Sequence, residues 1–105
     1  MIKILATLCL VSILLFASIE GGKGYYQELC KSCHGNGAVG SHMRTQSGWE
    51  AEFSCRAKIL KNRHDKNSTA KEIFSADRFE SARGDLFEFV REYANDSGNT
   101  PIGCE

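Results

Sequence analysis

The chain has 105 residues, with 13 basic side chains against 13 acidic ones and a formal net charge of zero. That length allows one small domain, and the even charge supplies no basic face of the kind that binds nucleic acid. Five cysteines in so short a chain are unusual, and two of them, Cys30 and Cys33, lie three residues apart.

Lys3 precedes an apolar run from Ile4 to Ile19. A positive residue followed by a hydrophobic stretch is the pattern of a secretory signal, so residues 1–19 read as a signal peptide and 20–105 as an exported, periplasmic domain. Ala17 and Ser18 are small enough for a cleavage site, but Leu15 and Phe16 stand where a second small residue is preferred. An uncleaved membrane anchor therefore stays open, although the run is slightly shorter than the roughly 20 residues a spanning helix needs. Cys9 lies inside the run and is expected to leave with it.

From Lys23 to Cys33 the spacing predicts a helix, with Tyr26, Leu29, Cys30 and Cys33 along one side. Its end carries Cys30-Lys31-Ser32-Cys33-His34. Two thiols one helical turn apart can each add to a vinyl group of haem, and the histidine after the second thiol then lies under the iron. This is the C-x-x-C-H attachment pattern of c-type haem. Cys30 and Cys33 are the expected thioether anchors and His34 the expected proximal iron ligand of one haem c. Two other readings use the same residues. A thioredoxin-like thiol pair needs a βαβ context, and no such pattern precedes Cys30. The run Cys30-x-x-Cys33-x-Gly35-x-Gly37 also resembles the zinc repeat of DnaJ-type chaperones, but a four-ligand site needs that repeat twice and it occurs once.

Gly35 to Gly40 reads as a loop passing close to a bulky group. Ser47-x-x-Glu50 has the form of a capping box, opening a helix of about Gly48 to Asn62 with Trp49, Phe53, Arg56 and Leu60 on one stripe and Ile59 beside it. Asp65 to Ser68 breaks the pattern, and Thr69-x-x-Glu72 offers a second capping box for a short helix containing Ile73 and Phe74. A last helix, Ala82 to Ala94, carries Leu86, Phe89, Val90 and Tyr93, stops at Asn95-Asp96-Ser97-Gly98, and leads to a loop with Pro101. No strand reaches convincing length, so the expected fold class is all-α. Cys55 and Cys104 remain once haem and signal are assigned. In an oxidising compartment they suit a disulfide contributing about 4 kcal/mol in the chain-entropy model; the other reading is a buried thiol and a frayed tail.

A helix, C-x-x-C-H, a glycine-rich loop, middle helices and an aromatic-rich last helix together resemble the class I cytochrome c family of small exported electron carriers. The order of elements matches across residues 20–105, while Cys30, Cys33 and His34 match at the level of the motif. The resemblance implies a small all-α domain around one covalent haem, with the first and last helices crossing where a small residue meets an aromatic one. Gly24 and Tyr93 are the expected pair. It also implies a methionine in the loop before the last helix as the second axial ligand, yet Arg63 to Glu80 contains none. Met43 is the only methionine after Met1, and it is taken first as distal ligand. His64, an open or water-filled position, and His42 compete with it. By order along the chain, Ser41-His42-Met43 falls where the family packs a Gly-Pro-x-Leu segment on the proximal side, which would make Met43 a packing residue. Trp49 and Arg44 or Arg56 suit the haem propionates, against core packing for the indole and solvated surface for the arginines.

The function this implies is a monomeric periplasmic monohaem cytochrome, not itself an enzyme. It would be loaded by haem-attachment machinery, carry single electrons between redox partner proteins, and touch a membrane only through an uncleaved signal. A haem-based ligand-binding or sensor protein, or a weak peroxidase with an open distal site, is the alternative. A non-haem thiol or zinc module is the third.

Overall fold

The helix formed by the apolar N-terminal run continues past Ile19. A computed structural model, describing residues 2–101, carries it into α1 (Ile2–Leu29), a single helix with no break at the expected boundary. Ile19 is buried in the core and the Ser18 hydroxyl donates to Asp85 Oδ1 at 2.8 Å, so the helix is already docked on the domain at these residues. One turn earlier, Ile13, Leu14, Leu15 and Phe16 are all exposed. Among the described residues no helix is long and apolar enough to cross a membrane.

After α1 come α2 (Lys31–His34), α3 (Gly37–Ser41), α4 (Gln46–Arg63), α5 (Ser68–Ser75) and α6 (Asp77–Glu92). The described residues contain no strand, as the all-α expectation requires. α6 begins five residues before the expected Ala82. Asp77 and Glu80 in its first turn complement the positive helix end, and Phe79 in the same turn is fully buried.

The first and last long helices do cross, but not at the expected pair. A Cβ on Gly22 would collide with the Asp85 carbonyl oxygen and lie 2.8 Å from the Phe89 side chain, whereas nothing lies within 4 Å of one on Gly24. Gly22 and Tyr26 are four residues apart and share a helix face, which Gly24 cannot join. Tyr26 accordingly packs on Phe89 with ring centroids 5.7 Å apart. Tyr93 lies one turn beyond, against Phe89 at 5.5 Å. The small residue at the crossing is therefore Gly22 and its aromatic neighbour is Phe89.

α4 departs further from expectation. Thr45, not Ser47, caps it, its hydroxyl accepting from the Gly48 N–H at 3.0 Å. Midway, Cys55, Arg56 and Ala57 adopt left-handed backbone with φ of 53°, 57° and 60°, a conformation that costs a non-glycine residue roughly 1–2 kcal/mol. This turn resets the phase of the side chains. Glu52, Ala57 and Leu60 are buried with Trp49, while Arg56 is exposed and Ile59 is 43 % exposed, so the expected stripe through Arg56 does not form. α5 is capped by Asn67 and not by Thr69, through Oδ1 and the Ala70 N–H at 2.9 Å.

Beyond α6 the chain returns to the segment before α4. Asn95 N–H donates to the Arg44 carbonyl at 3.1 Å, and Asp96 Oδ1 accepts from Gln46 N–H at 2.8 Å. Cys55 is exposed; its expected disulfide partner Cys104 lies outside the described residues.

Candidate functional site

The Cys30–His34 motif sits at a break between two helices. Cys30 still donates its N–H to Tyr26 at 2.8 Å, in register with α1, but the chain then tightens, with Cys33 and His34 N–H groups both reaching the Cys30 carbonyl at 3.2 and 3.1 Å. Gly35 closes this turn, its carbonyl accepting from the Tyr26 hydroxyl at 2.9 Å. Gly40 lies against the same tyrosine so closely that a Cβ there would overlap the hydroxyl. The segment expected as loop therefore contains a short helix, α3, which Asn36 caps by accepting from Val39 N–H at 3.0 Å. The cap compensates for what the glycines lose in backbone entropy.

Cys30 is half-buried and Cys33 exposed. Burial, with Cys33 adding to it, pushes the Cys30 thiol up to about 12. A redox or nucleophilic pair needs the opposite, a thiol lowered toward the thiolate.

These residues open onto a cavity of about 380 Å³, within the usual range for cofactor pockets. Tyr26 and Leu29 bring α1 to its wall, Cys33 and His34 bring α2 with Cys30 at its start, Gly40 brings α3, Trp49, Phe53 and Leu60 bring α4, Ile73 and Phe74 bring α5, and Leu86 and Val90 bring α6. The lining is mostly apolar and aromatic. Two histidines face each other within it, His34 Nε2 and His64 Nε2 at 3.4 Å, with ring planes at 81°. His64 is oriented by its other nitrogen, Nδ1–H donating to the Leu60 carbonyl at 2.7 Å, and by Phe74, whose ring centroid is 4.5 Å away. Burial, reinforced by His64, holds His34 below the ordinary histidine range, favouring the neutral form that ligates metals.

One carboxylate is buried in the same wall. Glu52 Oε1 accepts from Arg63 Nε at 2.6 Å and lies 3.5 Å from Arg44 Nε, while Oε2 is buried with no hydrogen-bond partner among the described residues. Two of the side chains considered for the propionates offer no free donor to the cavity. The Trp49 indole is buried and donates to the Ser41 carbonyl at 2.8 Å, a core role, and Arg56 is exposed away from the cavity. Arg44 does line it, together with Arg63 and Glu52, which sequence reasoning passed over. Arg63 stands beside His64 in the chain, and a guanidinium next to a candidate ligand was the available signal.

Met43 reaches the cavity rim and is 43 % exposed. His42 is exposed outside the wall. Among the described residues no group of three or more His, Cys, Asp or Glu side chains converges on an ion position. A haem needs less from the chain, since the porphyrin brings four nitrogens and leaves two axial positions for side chains. An apolar cavity lined by two thiols and two facing imidazoles fits that requirement. Comparison with family models, with curated proteins and with solved structures finds no match to this chain.

Proposed function

We propose that the protein is an exported c-type cytochrome resembling the class I family, carrying one electron at a time between redox partner proteins. The observation that carries this reading is the placement of Cys30, Cys33 and His34 together on the wall of an apolar cavity. When bound, haem supplies an iron that cycles between two oxidation states. Cys30 and Cys33 would tether it, and His34 would hold the iron from the proximal side. The apolar walls exclude water, and burial of this kind is a main lever on reduction potential. Arg44 and Arg63, gathered by Glu52, are the cations suited to the propionate carboxylates. Cys33, being exposed, would leave one edge of the group near solvent, where a redox partner can approach.

Export to the periplasm rests on Lys3 and the run Ile4 to Ile19, acting as a cleaved signal or as an uncleaved anchor. The test is Cys33→Ala in protein co-produced with haem-attachment machinery. One thioether bond should be lost, shifting the reduced optical bands toward those of a singly attached haem. A variant that keeps two thioether bonds sinks the assignment.

A further inference from the structure

We infer that His64 is the second axial ligand of the haem, closing the iron between two imidazoles; this rests on the covalent-haem reading above. Imidazole bonds to metals such as zinc are about 2.0–2.1 Å long, so two nitrogens on opposite sides of one ion stand about 4 Å apart. His34 Nε2 and His64 Nε2 stand 3.4 Å apart, and a modest widening of the cleft completes the axis. The His64 ring is also prepared for the role. Its Nδ1–H is committed to the Leu60 carbonyl at 2.7 Å, which fixes the tautomer and leaves the Nε2 lone pair facing His34. This is the outer hydrogen bond that metal-ligating histidines almost always make. Phe74 holds the ring from α5. Met43, expected first for this position, is 43 % exposed at the rim, with its backbone tied to the Gly40 carbonyl at 3.2 Å.

Two consequences distinguish this ligand set. Bis-imidazole ligation lowers the reduction potential relative to ligation by histidine and methionine. Ring planes near 81° also differ from parallel planes in electron paramagnetic resonance, giving a highly anisotropic low-spin signal. The experiment records that resonance, the near-infrared charge-transfer band and carbon monoxide binding on full-length haem-loaded wild type, His64→Ala, His64→Met and Met43→Leu. The wild type should show the bis-imidazole band and the anisotropic signal. His64→Ala should lose the low-spin state and gain carbon monoxide binding from none to one per haem. His64→Met should keep a closed site but shift the band to that of thioether ligation and raise the potential, and Met43→Leu should match the wild type. A thioether band in the wild type that disappears in Met43→Leu and survives in His64→Ala overturns the inference while leaving the haem reading intact. Protein that carries no covalent haem overturns both.

Discussion

At the scale of single residues, the site depends on contacts with no room to spare. The Tyr26 hydroxyl closes the attachment turn by donating to Gly35, and Gly40 is the residue it rests against. Gly40→Ala would drive a methyl group into that hydroxyl. Overpacking of this kind costs about 1–3 kcal/mol, so the urea midpoint should fall with an unchanged denaturant slope; an unchanged midpoint would mean that Tyr26 does not hold the turn. Charge acts more gently. Hydrogen bonds from Arg78 and Lys61 hold the Glu28 and Glu80 carboxyls below their ordinary 4.5. Between the folded and ordinary values the unfolded chain binds more protons, so stability rises with pH across that interval. The contribution is complete above 4.5 and is lost as pH falls through the depressed folded values. Both pairs are exposed, so the effect is small and weakened by salt. Glu80→Gln should flatten the acid side of a stability–pH curve, and a curve parallel to the wild type would count against the Lys61 pairing.

At the scale of elements, the crossing of α1 on α6 sets where the attachment motif emerges. Gly22 meets backbone there, which cannot swing aside as a side chain can. Gly22→Ala should therefore destabilise the folded protein even though alanine favours helices by roughly 1 kcal/mol over glycine. Gly24→Ala, which meets nothing within 4 Å, should be neutral or stabilising by up to about that amount. Equal effects in thermal unfolding would place the crossing elsewhere. The same pair shows what a sequence reveals. That two helices cross at a glycine follows from pattern, but with Gly21, Gly22 and Gly24 adjacent, only the phase set by Tyr26 against Phe89 chooses among them. Capping boxes were similarly ambiguous: Ser47 and Thr69 fit the pattern, while Thr45 and Asn67, two residues earlier, make the bonds. The left-handed turn at Cys55–Ala57 has no glycine to announce it. Cys30, Cys33 and His34 were legible because five consecutive residues contain the whole motif. His64 pairs with His34 only through the way α4 ends, information that no local window holds.

At the scale of the molecule, a domain this small encloses a cavity of about 380 Å³ to which all six of its described helices contribute lining residues. Small domains bury a limited fraction of their surface, and a large apolar group enclosed in the fold would add buried surface to it. The covalent haem proposed for this cavity would therefore serve both the fold and the chemistry. The most direct measurement is the intact mass, under denaturing conditions, of the protein exported from cells that contain haem-attachment machinery. A mass exceeding the polypeptide by one haem, with Cys30 and Cys33 unreactive to thiol reagents, is the expected result. A polypeptide at its own mass, with both thiols free to react, would contradict the account at its centre.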